Sequence, residues 1–276
     1  MAKISNEAKK SYFEKIKEYK NIIEQIKNKE KTLLKEIRDD PDNAGYKRLI
    51  MGDENITIVS YYLLMNSLSL SLLGIRNEAF LNDARKGCYK VIIYLEEIVS
   101  DLIDAPFSEY SERLETIVNF SDDKRYELIK KLGFAIQSVV EGFGENSKWK
   151  WSFVEIEARF ATVAKNLINM KTLVAGMDPR ADHYESRMAY LELIKKIMQQ
   201  SADKYRQKYE LSTLRIDDFK IAISYLQALR RFHILLGEVE EAEVMRKKVE
   251  VWKAKMETDL KKHDQEIKEA RMGKRL

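Results

Sequence analysis

One cysteine, Cys88, in 276 residues excludes an internal disulfide. Ten glycines and three prolines (Pro41, Pro106, Pro179) are too few turn residues for a β-rich fold. Only three histidines are present, and Arg180, Arg230 and Leu260 stand three positions before His183, His233 and His263, so the Glu-x-x-His pattern of di-iron bundles is missing. There is no P-loop, dinucleotide glycine fingerprint, His-Glu-x-x-His or Cys-x-x-Cys pair. No metal or cofactor is therefore expected, and the reading is non-enzymatic. Cys88 has Arg85, Lys86 and Lys90 nearby but no base in its segment, which fits a small buried hydrophobe better than a nucleophile.

Charge of one sign is lacking as well. Forty-nine basic residues oppose 45 acidic ones, for a net charge of +4, and the signs interleave, which argues against a dedicated nucleic-acid binder. The opening "MAKISNEAKKSYFEK" has no apolar run after its positive residues. The most apolar stretch, Ile56 to Leu73, is broken by Tyr61, Tyr62, Asn66 and four serines. Neither a signal peptide nor a membrane span is expected, and the cytoplasm is the expected location.

What is abundant is helix-forming: Lys, Glu, Leu, Ile and Ala dominate, and no segment alternates with period two. The first helix is expected over 4–38, on a heptad seam of Tyr12, Ile16, Tyr19, Ile23, Ile26, Leu33 and Ile37 in which Glu30 fills the one gap. "DDPDNAG" then breaks it. Further helices are expected over 54–73, 78–102 and 108–119, from a Ser121 cap to Gly142 or Gly144, over 147–175, from Pro179 to Lys208, over 217–236 and over 238–272. Gly176 is offered as a cap on the outgoing end of the 147–175 helix. The C-terminal helix carries a second seam, Met245, Val249, Trp252, Met256, Leu260, His263 and Ile267, and a basic end, "ARMGKRL". One extended all-α domain is expected over 1–276, with substructure at 1–38, 46–144 and 147–276. It is built of antiparallel helical hairpins, as a tetratricopeptide-like stack or an irregular bundle, with long heptad-like terminal helices.

A block recurs. "SLLGIRNEAF" at 71–80 returns as "ILLGEVEEAE" at 234–243. In each copy the leucines end an apolar stripe, the glycine (Gly74, Gly237) stands where a helix stops, and the acidic residue and alanine (Ala79, Ala242) suit the first turn of a helix folding back. The block resembles the turn of a tetratricopeptide (TPR) hairpin, in which a Leu-Gly end precedes an alanine five residues beyond the glycine. It departs from that family at Arg230, at Leu70 and His233, and at Asp83 and Arg246, and it has no 34-residue period. The resemblance implies helical hairpins and, by analogy, Gln227 and Arg231 facing a groove.

The sequence points to a non-enzymatic scaffold or adaptor that binds protein partners through helical surfaces. Tyr12, Ile16, Tyr19, Ile23 and Ile26 form a stripe that this chain's own body, a second copy or a partner must cover, and a homodimer is the expectation. Trp149 and Trp151 in "KWKWSF" are flanked by Lys148 and Lys150, and read as a hydrophobic anchor or as stacking platforms. The alternative function is a helical binder of nucleic acid or an anionic surface through the basic terminal helices.

Overall fold

The computed structural model describes residues 6–144, 147–168 and 177–273, without the side chains of 267 and 270–273. The proposed Gly176 cap and the side chains of Ile267 and of "ARMGKRL" lie outside the described residues. Among the described residues the fold is all-α, with helices α1 (Asn6–Asp39), α2 (Ala44–Leu73), α3 (Glu78–Ile98), α4 (Ser111–Glu115), α5 (Asp122–Phe143), α6 (Lys150–Asn166), α7 (Tyr184–Lys208), α8 (Ile216–Leu235) and α9 (Val239–Gly273). The chain divides into two compact units, Met1–Tyr190 and Leu191–Leu276. The division falls inside α7.

In the first unit, α1, α3 and α5 all pack on α2. The heptad stripe is the reason for the first contact. Tyr12, Ile16 and Ile23 are buried against Ile58 and Met65 of α2, and Tyr19 and Ile26 pack partly buried around them. Tyr19 meets Tyr61 with ring centroids 5.3 Å apart. The stripe's cover is therefore this chain's own second helix. Of the three covers the sequence left open for these five residues, the chain's own body is the one that buries them here, without a dimer copy or the C-terminal helix.

Glu30, the gap in the seam, is buried, and its carboxylate is the acceptor that joins three helices. Asn55 Nδ2 of α2 donates to its Oε1 at 2.5 Å and the Tyr94 hydroxyl of α3 donates to the same oxygen at 2.9 Å. Lys90 of α3 pairs with Oε2. Burial, then the hydrogen bond to Glu30 and its charge, push the Tyr94 hydroxyl above its ordinary pKa. Where α2 and α3 cross, Gly87 permits the approach, since a Cβ there would lie 2.6 Å from Val59 Cγ2.

Both recurring blocks are hairpin turns. Gly74 (φ 66°) and Gly237 (φ 75°) sit in the left-handed region at the ends of α2 and α8. The Gly74 N–H donates to Leu70 O at 3.0 Å, the bond of an αL cap, and that of Ile75 to Ser69 O at 3.3 Å, whereas at the second turn the Gly237 N–H donates to Ile234 O at 3.1 Å and the Glu238 N–H to His233 O at 2.9 Å, a Schellman closure. Asn77 then opens α3, its Oδ1 accepting from the N–H groups of Ala79 (3.1 Å) and Phe80 (3.2 Å).

Several boundaries differ from expectation, for physical reasons. α2 begins at Ala44 and not near residue 54, because the break is absorbed by a three-residue 3-10 turn, Pro41–Asn43, with Asp40 Oδ1 accepting from the Asp42 N–H at 3.2 Å. The helix expected over 108–119 is reduced to a 3-10 turn, Phe107–Glu109, and the short α4, and the segment ends at Asn119 in the left-handed region (φ 60°). α3 stops at Ile98, and the carbonyls that follow are taken by side chains: Val99 by Arg113 at 2.5 Å, Ser100 and Leu102 by the buried Asn166 amide at 3.0 and 3.2 Å. α6 starts at Lys150, and its Arg159 forks onto Glu96 of α3, with Nε to Oε1 at 2.7 Å.

In the second unit, Tyr209 stacks on Phe219 at 4.8 Å, and Trp252 closes on Phe219 at 5.9 Å. The buried Asp218 carboxylate accepts from Lys208 Nζ at 2.8 Å and Thr213 Oγ1 at 2.7 Å, which pins the π-helical turn Tyr209–Thr213. The seam of α9 is buried at Val249 and Trp252 and opens to solvent at Leu260 and His263. At the α8–α9 turn, Glu238 holds Lys195 at 2.9 Å and His233 Nδ1 at 2.6 Å. Burial alone would raise the Glu238 pKa, but these two hydrogen bonds outweigh it and hold the carboxyl below its ordinary value.

Two outcomes follow from this packing. Glu30→Leu completes the apolar seam, yet it leaves the buried Asn55 and Tyr94 donors without their acceptor, at about 1–3 kcal/mol each. The variant should therefore unfold more easily in urea by about 2 kcal/mol, and Asn55→Leu with Tyr94→Phe should restore most of the loss; a Glu30→Leu variant more stable than wild type refutes the polar lock. At Gly74 and Gly237 an added Cβ meets nothing within 4 Å, so the cost of Val there is backbone strain alone. Each substitution should lower stability by about 1–2 kcal/mol in thermal melts, with Asn costing less.

Candidate interaction surfaces

From Asn55 to Ile75 the chain carries no charged residue, although a third of its residues are charged. Helical spacing divides this run between two faces. Ile56, Ile58, Val59 and Met65 turn inward, while Thr57, Ser60, Leu64, Ser67, Leu70 and Ser71 remain exposed, with Leu64 at 48% and Leu70 at 56%. Three of the four hydroxyls on that exposed face are turned back on their own helix: Thr57 Oγ1 donates to Asp53 O at 3.3 Å, Ser60 Oγ to Ile56 O at 3.1 Å and Ser71 Oγ to Leu68 O at 3.3 Å. Their polarity is largely used internally. The result is an exposed, uncharged helix face with small side chains and little hydration to lose. By length and composition alone, Pro41–Leu73 is apolar enough to cross a membrane, with a mean hydropathy of 1.5 over its best window, of which 28% is buried. The signal for this face in the sequence is the uncharged run itself, whose serines also interrupt its apolar pattern.

The "KWKWSF" stretch is divided by burial. Phe153 is in the core, 5.6 Å from Phe143 between ring centroids. Trp149 is half-buried with the Arg85 guanidinium 4.3 Å and Lys148 Nζ 5.6 Å from its ring. Arg85 is held there by Ser152 Oγ at 2.9 Å and Asn82 Oδ1 at 3.1 Å, and burial lowers its pKa. Arg76 donates to Phe143 O at 3.1 Å beside them, and a 440 Å³ cleft opens between Arg76, Glu78, Lys148 and Trp149. Trp151, also half-buried, has Lys150 Nζ 5.2 Å from its ring. In the second unit, Gln227 is half-buried and Arg231 is exposed one turn later on α8.

Cys88 is buried, and desolvation pushes its thiol up to about 12. Among the described residues, no three His, Cys, Asp or Glu side chains gather as a metal site. His183 pairs with Asp123 at 2.7 Å and His233 with Glu238.

A family model described as the TP0443 family matches residues 8–260, nearly the whole chain and both units. The chain belongs to the TP0443 family. No curated protein matches. Among solved structures it is similar to a chain titled "Computational Design of Self-Assembling Cyclic Protein Homooligomers", at 8% identity over 91% of this chain and 98% of that one, with a TM-score of 0.30, which carries no argument. For this TP0443 family member, the all-helical fold stands, and the tetratricopeptide likeness rests on the two turns.

The Cys88 environment has a direct consequence. In the folded protein at pH 8 the thiol should react with a disulfide reagent slower than a free thiol by about three orders of magnitude, following its thiolate fraction, and reach full reactivity in denaturant. Rapid labelling of the native chain would refute the buried-thiol assignment.

Proposed function

We propose that this chain is a non-enzymatic adaptor whose exposed α2 face receives a helix of a protein partner. The observation that supports it is the uncharged stripe Thr57, Ser60, Leu64, Ser67, Leu70 and Ser71 on a protein whose remaining surface is densely charged. A surface of that kind loses little on drying, and its small hydroxyl residues let a second helix come close. The apolar ends of both hairpins extend the theme: Ile75 is 60% exposed beside Gly74, and Leu235 and Val239 are 61% and 74% exposed around Gly237. The tetratricopeptide-like reading of these hairpins belongs to the same proposal, with Gln227 and Arg231 as further contacts.

A second reading has its own support. The hydropathy of Pro41–Leu73 suits an apolar bilayer interior, and the cations Arg76, Arg85 and Lys148 around Trp149 suit an anionic surface. We read α2 as a core helix of a soluble protein because it buries Asn55, Asn66 and Ser69, with Asn66 Oδ1 accepting the Asn77 N–H at 2.9 Å.

Ser67→Glu and Leu64→Glu place charge on the exposed stripe without touching the core. Both variants should keep the wild-type circular dichroism and melting temperature, and both should lose a protein that cross-links to wild type through the stripe in the native cell. A partner retained by both variants would sink the proposal; flotation of wild type with anionic vesicles, abolished by the same substitutions, would favour the surface-binding reading instead.

A further inference from the structure

The entry to α5 combines features that the adaptor reading does not use. Ser121 precedes the helix with extended backbone (φ −64°, ψ 164°), but its hydroxyl makes no capping bond, so the first-turn N–H groups keep their outward dipole. Two arginines converge there from elements 62 positions apart, Arg125 of α5 and Arg187 of α7. Arg125 is only 5% exposed, its Nη1 donates to Leu167 O at 3.3 Å, and its buried Nε has no acceptor. Arg187 has two further buried nitrogens, Nε and Nη1, that also lack an acceptor. Both guanidinium groups share one carboxylate at long range, with Asp122 Oδ1 3.6 Å from Arg125 Nη1 and Oδ2 3.4 Å from Arg187 Nη2. Asp123 is engaged by His183 Nδ1 at 2.7 Å. These groups line a 260 Å³ cavity floored by Phe120.

The carboxylates of Asp122 and Asp123 balance the two guanidinium charges, yet three buried donor nitrogens, Arg125 Nε and Arg187 Nε and Nη1, still ask for acceptors. A helix N-terminus adds its field beside them. An anion in the cavity supplies the missing acceptors beside that helix end. Donors presented by two separate guanidinium forks suit an oxyanion with three or more oxygens better than a planar carboxylate, which can meet only one fork squarely.

We propose that this cavity binds a phosphate-class anion, either inorganic phosphate or the phosphoryl group of a small phosphomonoester, on Arg125, Arg187 and the amino end of α5. Phe120 and the remaining volume would take the organic part of a monoester. The site is independent of the α2 stripe, so its test and that of the adaptor reading succeed or fail separately.

The full-length chain is titrated calorimetrically with sodium phosphate, methyl phosphate and sodium acetate at matched ionic strength, with melting temperature followed in parallel. Phosphate or its monoester should bind and raise the melting temperature, and acetate should bind at least about tenfold more weakly. Tighter binding of the monoester names that source; tighter binding of inorganic phosphate names the other. Arg187→Gln removes one fork and should weaken phosphate at least about tenfold. Ser121→Asp is exposed and a good helix cap, so it keeps the fold while placing a carboxylate at the mouth, and it should abolish binding. No heat and no thermal shift with phosphate in wild type, acetate matching phosphate, or a folded Ser121→Asp protein that binds phosphate as wild type does would each overturn the site.

Discussion

A carboxylate removed from water must find donors, and Glu30 finds them on two other helices. Without that requirement α1 could slide along α2 by a heptad step, since an apolar stripe of repeated isoleucine and tyrosine has several near-equivalent registers. The Asn55 amide and Tyr94 hydroxyl meet Glu30 in one register only. Buried polar groups that fix register in paired helices are the best-attested use of such groups. Everything packed on α2 inherits the alignment, because α3 and α5 meet α2 at positions set relative to α1.

The same economy recurs in the second unit, with the donors lying earlier in the chain than the acid instead of later. Asp218 stands near the start of α8 and gathers Lys208 and Thr213 from the turn before it, while Glu238 stands at the start of α9 and gathers Lys195 and His233. In each case a buried or half-buried acid near a helix start accepts from residues of a preceding segment. Helix starts favour negative charge, so the anchoring acid gains from the dipole as well as from its partners.

Local chemistry was readable in the sequence, and partnership was not. The glycine turns, the start of α3 at Glu78 and the end of α1 follow from backbone preferences that act over a few residues, and they came out as read. The heptad stripe was legible as a stripe, but the sequence held no statement of which helix would cover it. Glu30 showed as a defect because its donors lie 25 and 64 positions away. Arg125 and Arg187 had no signal at all: each looks like one more surface cation until the fold buries Arg125 and brings the two together. The early start of α2 was missed because Pro and Asp mark a break without saying how short it is. Trp149 was noticed for its lysine neighbours, yet the cation closest to its ring is Arg85, from another helix.

The uncharged run of α2 also has a temporal side. A helix of that hydropathy leaving the ribosome unaccompanied resembles a segment destined for a bilayer, and transiently exposed apolar surface is where chains associate wrongly. Here α1 is synthesised first, and its tyrosines and isoleucines are the surfaces on which Ile58 and Met65 settle. The covering element is therefore already waiting when the helix that needs it emerges. Chain order thus acts as a built-in chaperone for the inner side of α2.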